Sequence, residues 1–328
     1  MDTGTHLVVG LGLAGLAHLD PAVANDPQLA AAVMIGTVAG SQAPDADTLL
    51  RFRSNAVYIR NHRGKSHSLP AVAIWTALIT IALSLLFRGV PVGHLAFWVF
   101  VAVAFHVFSD LFNTYGTQAM LPITEKWISW NIIHIFDPFI FTSHVIAILL
   151  WAAGASPGPV FAALYILLAI YYIWRTAARF AALRKIQKQD PTFHPDHQYM
   201  VIPTINPNVW NVVKRTGPSC YELGEFRNGA LRWVDEVRCQ QHPAADASRS
   251  HPDVASFLYF TSYACAEVRE HRWGYEVKWT DVRYRHRKQY PFVAVVLLDK
   301  QLQPIDSYVG WRSEERVEKK LKISAYRP

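Results

Sequence analysis

Charge is scarce in this chain and unevenly placed. Asp, Glu, Lys and Arg make up only 17% of its 328 residues, against 51% hydrophobic residues. Nearly all the long apolar stretches fall in residues 1–180, while the remainder is charged, aromatic and polar. That asymmetry excludes one uniform soluble body and points to a membrane domain, residues 1–188, followed by a soluble domain, residues 189–328. Basic residues are missing where a secretory signal would need them: Asp2 is present, and no Lys or Arg precedes His18, so the first apolar stretch is not read as a cleaved leader. Cysteine is sparse too. Cys220, Cys239 and Cys265 form no Cys-x-x-Cys pair, and reduced thiols are expected in a reducing compartment.

What the chain has in quantity is apolar segments. Residues 69–87, 138–153 (extendable back to 132) and 159–174 each offer roughly 16 to 20 residues nearly free of charge, about enough to cross a hydrocarbon core. Residues 92–109 are similar but include His106, and residues 7–19 and 29–40 are shorter. The fold class expected is an α-helical membrane domain of about six transmembrane helices, then a small, mainly antiparallel β domain. Basic residues collect between the second and third segments (Arg51, Arg53, Arg60, Arg63, Lys65) and after the sixth (Arg175, Arg179, Arg184, Lys185, Lys188). By the positive-inside rule both stretches, and both termini, are cytoplasmic.

The same threading sends His6, Asp45, Asp47, His62, His67, Asp110 and Asp137 to the cytoplasmic face, with His106 one turn into the membrane. Topology is assigned from Lys and Arg alone, so this convergence is independent of it. Polar groups beside a bilayer are costly unless something offsets them, and together they read as a site. Each piece alone has a plainer account. His106 and Asp110, four apart, share a helix face and could be a buried histidine bonded to a carboxylate. Asp45 and Asp47 can cap a turn or supply oxygen ligands to a divalent cation. His62, Arg63, Lys65 and His67 can anchor a loop to anionic lipid, although histidine is unnecessary for anchoring and is the commonest zinc-binding imidazole. Asp137, directly before a proline at a helix start, is either an N-cap, the preferred reading, or a further metal ligand.

The series His6, Pro44-Asp45-Ala46-Asp47, His62-Arg63-Gly64 with His67-Ser68, and His106-x-x-x-Asp110 with Asn113-x-x-Gly116 resembles the YdjM-type family of bacterial inner-membrane metal-dependent hydrolases, over roughly the first 180 residues. That family is in turn distantly similar to the zinc-dependent phospholipase C and single-strand nuclease group. The resemblance implies His6, Asp45, His67, His106 and Asp110 as metal ligands, with His62 and Asp47 either ligating or supporting the ligands; Asp47, His62, Arg63 and Lys65 are the residues expected to serve the reaction. It implies one or two divalent ions, zinc first and manganese second. The later histidines and acid of the secreted enzymes have no matching motif in His134, Asp137 or His144. The expected activity is hydrolysis of a phosphoester on a lipid or other amphiphile at the cytoplasmic membrane face, with Asp47 orienting water and Arg63 and Lys65 meeting phosphate charge. The bilayer is the expected partner, and oligomeric state is not legible.

Residues 198–205, 209–213, 230–237, 257–268, 275–284 and 292–298 carry strand-like patterns separated by turn formers. Arg272, Lys278, Arg283, Arg285, Arg287 and Lys288 interleave with Trp273, Trp279 and Tyr284, a pattern that suits single-stranded nucleic acid but equally a solvated strand face near anionic lipid; the second is preferred. A different function class remains open: a membrane-anchored regulator or scaffold whose metal site is structural. A transporter is disfavoured, because the polar residues gather at one membrane face and not at the midplane.

Overall fold

The helices of the first half begin where an acid or serine meets proline. In the computed structural model, which describes residues 1–284, 291–312 and 314–321, Asp20 caps α2 (Pro21–Asn25), Asp26 caps α3 (Pro27–Gln42), Ser68 caps α5 (Leu69–Leu86) and Asp137 caps α7 (Pro138–Ala152). Each cap side chain accepts a first-turn N–H, and the proline occupies a position whose own N–H would be idle. α1 (Thr3–Leu16) is capped by Asp2 in the same way. The others are α4 (Asn55–Asn61), α6 (Val92–Asp110) and α8 (Pro157–Gln189). Asp137 is therefore a cap: it accepts from Phe139 N and Ile140 N at 3.0 and 3.2 Å and from the Tyr171 hydroxyl at 2.7 Å.

Among the described residues three helices, α5, α6 and α8, are long and apolar enough to cross a membrane. Residues Thr3–Leu19 and Pro138–Ala152 form shorter apolar helices, and α3 has 16 residues. Three of the expected spans thus have full crossing length, and the other three are shorter. The exposed face of α5, with Ile74, Leu78, Ile81 and Leu85, has the character of a helix bathed in hydrocarbon.

The chain divides into two compact units. The first is Met1–Asp47, His62–Arg184 and Ile202–Val209, and the second is Thr48–Asn61, Lys185–Val201 and Trp210–Pro328. In the first unit, α1, α3 and α6 approach closely because glycine lies at the crossings. A Cβ on Gly10 of α1 would stand 2.4 Å from Ser41 Oγ, and one on Gly36 of α3 would stand 2.7 Å from Val99 of α6. Leu29, Val33, Leu95, Val99 and Val103 fill one core cluster, and Val9, Leu13, Ile133, Ile140 and Phe161 a second.

In the second unit, β1 (Gln198–Pro203), β2 (Val209–Gly217), β3 (Cys220–Arg227) and β4 (Ala230–Arg238) form one sheet in sequential order. β5 (Ala264–His271), β6 (Gly274–Asp281), β7 (Phe292–Asp299) and β8 (Pro304–Trp311) form another, antiparallel throughout. α9 (Pro243–Ser248), α10 (Pro252–Phe260) and α11 (Glu314–Lys320) complete it. These eight strands replace the six expected. β3 and β8 escape the pattern because half of β3 and three residues of β8 are polar or glycine, β8 also opening on proline, and pairing with a neighbour decides their state. The strand expected over 257–268 begins instead at Ala264, because Pro252 starts a helix that buries Val254, Phe257 and Phe260. α4, between α3 and α5 in chain order, also belongs here: Asn55 Nδ2 donates to Val309 O at 3.1 Å. Cys239 and Cys265 form a disulfide, correcting the expectation of free thiols. The link from Gln240 N to Ala266 O, 2.9 Å, lays the chain after β4 along β5 and sets the two Cα atoms 4.9 Å apart. Of the interleaved residues, Arg283 is buried against Asp281 at 2.7 Å and Trp279 donates to Ser248 Oγ at 2.9 Å. Arg285, Arg287 and Lys288 lie outside the described residues.

Lys214 is fully buried and stands 2.8 Å from Asp190 and 3.3 Å from Glu222. Burial alone would raise the Asp190 pKa, but hydrogen bonds from Lys214, Tyr199 and Thr192 outweigh it and hold the carboxyl at about 2. A depressed carboxyl contributes stability that is complete above its unfolded value, about 3.9, and is lost as pH falls toward about 2. Near-ultraviolet circular dichroism of the full chain in detergent should therefore lose its thermal transition progressively over that window. Lys214→Ala, which strands a buried carboxylate, should cost about 3–5 kcal/mol at neutral pH; an unchanged melt would show that the pair contributes nothing.

Candidate metal centre

Two imidazoles and two carboxylates meet inside the first unit. α6 presents His106 and Asp110 one turn apart, the short turn Lys65–His67 presents His67, and the 3-10 stretch Ala43–Phe52 that continues α3 presents Asp45. One donor atom from each lies within 4.8 Å of the others. His67, His106 and Asp110 are buried, and Asp45 is the most accessible, with 18% of its side chain exposed.

The separations suit a coordination shell better than hydrogen bonds. His67 Nε2 and His106 Nε2 are 3.2 Å apart. Asp45 Oδ1 lies 3.6 Å from the first and 3.8 Å from the second, and Asp110 Oδ2 lies at 3.5 and 3.7 Å. Ligand bonds of about 2.1 Å arranged tetrahedrally put neighbouring donors about 3.4 Å apart. Asp45 Oδ1 is a buried atom without a hydrogen-bond partner, and the buried Asp110 Oδ2 is met by the Arg63 guanidinium at 3.2 Å. An unpartnered buried oxygen is costly unless something satisfies it.

The protons can be placed. His106 Nδ1 is 2.7 Å from the Ser41 carbonyl, which can only accept, so Nδ1 carries the hydrogen and Nε2 keeps its lone pair. Ser66 Oγ donates to Asp47 Oδ2 at 2.7 Å and must therefore accept from His67 Nδ1 at 2.9 Å, which again leaves Nε2 bare. Burial above all, with His106 and the Arg63 cation adding to it, drives the His67 pKa well below its ordinary value. Neutral imidazole is the ligating form. Two bare lone pairs facing one another at 3.2 Å repel unless a cation lies between them. The residues present thus fit a divalent metal ion.

A second group shares Asp45. Asp45, Asp47 and His62 place donor atoms within the same reach. His62 Nδ1 bonds Asp47 Oδ1 at 2.9 Å, and Asp47 also accepts from Arg63 N at 3.0 Å. Burial works to raise the Asp47 pKa, but His62, Ser66 and Arg63 N together hold it below the ordinary carboxylate value. His6 stands beside the first four residues: its ring stacks on His106 at 3.7 Å, its Nε2 is 3.4 Å from Asp110 Oδ1, and both its nitrogens lack hydrogen-bond partners. Arg63 is buried, with positive φ of 59°, and its guanidinium reaches Asp110 Oδ2, Asn113 Oδ1 and Met1 O, each at 3.2 Å. The Met1 amino group lies on Asp110 Oδ1. Lys65 is on the same turn with its side chain exposed.

Two supports escaped the sequence reading. The Ser41 carbonyl orients His106, and a backbone group carries no residue-type signature. The Ser66 hydroxyl joins His67 to Asp47; its place one position before a candidate ligand was the available signal. His134 bonds the backbone of Phe136, and His144 bonds Ile140 O at 2.7 Å, so both serve local structure.

Residues 1–182 match the family described as "YdjM inner membrane protein", and residues 243–321 match the "YfhP C-terminal alpha/beta plait domain". The chain is 43% identical over 330 residues to a Bacillus subtilis (strain 168) protein named "Uncharacterized protein YfhP", covering 99% of this chain and 100% of that one. No solved structure matches it.

Purified after expression with zinc or manganese supplied, the protein should contain stoichiometric divalent metal by elemental mass spectrometry. His106→Ala and Asp110→Ala should lose it while remaining folded by circular dichroism. Ser66→Ala, which frees His67 Nδ1 without removing a ligand, should weaken binding about 10- to 100-fold. Metal-free wild type would end the assignment.

Proposed function

Because the chain belongs to the YdjM inner membrane protein family, we propose that it is a multi-pass membrane protein, crossing about six times with both termini cytoplasmic, that hydrolyses phosphoester bonds in a metal-dependent reaction. The observation that carries the reading is the pair of bare Nε2 lone pairs facing each other at 3.2 Å, flanked by the unpartnered Asp45 Oδ1 and by Asp110 Oδ2. Asp45, His67, His106 and Asp110 are the residues that would hold the ion, and His6 is next to them. An ion bound there, zinc by preference, supplies acidity to water and positive charge to a phosphoryl oxygen. The N2O2 donor set also accommodates manganese, and the group sharing Asp45 offers room for a second ion.

The chain's own residues then divide the work. Asp47 is ionised and takes the Nδ1 hydrogen of His62, which fixes that imidazole in the role of general base toward water. His62 is suited to this because 18% of its side chain is exposed, whereas His67 and His106 are enclosed. Arg63 holds Asp110 through its guanidinium and Asp47 through its N–H, which ties both carboxylates to one residue. Lys65, exposed on the same turn, is placed to meet phosphate charge arriving from solvent. The substrate class proposed is a lipid or other amphiphilic phosphoester, because the site belongs to a unit whose helices are built for hydrocarbon.

A panel of phosphomonoesters and phosphodiesters, soluble and micellar, separates the possibilities. His106→Ala should abolish turnover without unfolding the protein, and His62→Gln should lower kcat about 100- to 10,000-fold with metal content retained. Turnover that survives in His106→Ala would belong to a contaminant. A metal-replete wild type inert on the whole panel would favour the scaffold with a structural site.

A further inference from the structure

On the flank of α6 next to the donor cluster there is an apolar slot. His106 and Asp110 point one way; Phe105, Ser109 and Phe112, each one or two residues away in sequence, line a cavity of about 230 Å3 whose other wall is Tyr165, Leu168 and Tyr172 of α8. Two ring pairs mark its length. Phe105 meets Tyr165 at 5.9 Å and Phe112 meets Tyr172 at 4.7 Å. Seven residues separate the pairs on each chain segment, roughly 10 Å of helix. Both segments run in the same direction, so the second pair lies at the end of α6 that carries Asp110.

The polar groups of the lining are nearly all satisfied. Ser109 Oγ donates to His106 O at 2.9 Å and the Tyr165 hydroxyl to Val9 O at 3.3 Å. The Tyr172 hydroxyl is shielded from solvent and has no hydrogen-bond partner. A shielded hydroxyl without an acceptor is penalised, and an incoming oxygen would remove the penalty. The remaining walls are apolar and would leave such a cavity dry. Beside the slot residues, α8 exposes Ile166, Leu167, Ile170 and Ile173 on its outward face. Hydrocarbon is what surrounds such a face in a membrane.

We propose that this slot binds one hydrocarbon chain of an amphiphile whose ester or phosphate oxygen accepts from Tyr172, which sets the polar end beside the end of α6 that bears Asp110. This deepens the hydrolase reading and rests on it for the headgroup: the substrate class becomes a long-chain phosphoester taken from the bilayer, and a water-soluble phosphate becomes a poor substrate.

The full-length protein in phosphatidylcholine nanodiscs can be photolabelled with a long-chain alkyl phosphate carrying a diazirine midway along the chain, and the adducts mapped by mass spectrometry. Adducts should concentrate on α6 and α8 and be displaced by unlabelled alkyl phosphate. Ala169→Trp, an exposed position on the slot rim, should reduce labelling to the level of the outer helix faces, and Ile166→Trp, outside the lining, should leave it unchanged. Tyr172→Phe should weaken displacement by alkyl phosphate about fivefold. Labelling spread evenly over α5 and α8, or indifferent to Ala169→Trp, overturns the slot. Metal-dependent turnover of soluble phosphoesters with evenly spread labelling would sink the slot and leave the hydrolase reading standing. Slot labelling without turnover on any phosphoester would do the reverse.

Discussion

His67 and His106 are held with their unprotonated nitrogens toward each other, and the rest of the site follows from that constraint. Each ring is fixed from behind by an acceptor, the Ser41 carbonyl for His106 and the Ser66 hydroxyl for His67. Neither ring can turn away without breaking that bond, so the electron-rich sides stay opposed. Asp45 and Asp110 then close on the same point, Asp45 with an oxygen that has no hydrogen-bond partner and Asp110 with one that also faces the Arg63 guanidinium. In a buried setting the arrangement is unfavourable by itself and becomes favourable around a divalent cation. A bound divalent ion would thereby couple to the stability of the helical unit, because it would relieve repulsion that folding creates.

Close helix packing is what makes the geometry possible. The ligands come from separate segments, and α3 carries Asp45 at its exit only because it lies tightly against α1 and α6. Gly10 and Gly36 remove the side chains that would hold these helices apart, as small residues do where helices pack in membranes. Arg63 performs a related task in the loop. Buried and in the left-handed backbone region, it turns the chain so that His62 faces Asp47 while its own guanidinium holds Asp110.

The site and the apolar slot share one helix. α6 carries ligands on one side and aromatic slot residues on the next, so a polar headgroup and a hydrocarbon tail would be bound by neighbouring faces of the same rigid element. An amphiphile at a membrane surface has that shape. The β-rich unit has its own organising interactions, the buried Lys214 with Asp190 and the Cys239–Cys265 disulfide.

By itself the sequence determined the apolar helical half and the candidate donors within it, because long uncharged stretches and rare polar residues at their ends leave few alternatives. Asp45, His67, His106 and Asp110 were all legible as candidates, and so was the Asp137 cap, since proline directly after an acid has one common use. Tertiary structure alone decided which candidates share one centre: His6 stacks beside the four, Asp47 and His62 pair with each other, and Arg63 turns inward to Asp110. Those outcomes depend on distances across helices, which no local spacing encodes. Tertiary structure also decided that α4 joins the second unit, that β3 and β8 are strands despite their polar composition, and that two cysteines 26 residues apart are bonded. In each case the deciding energy comes from a partner distant in sequence, and a residue's own chemistry does not name its partner.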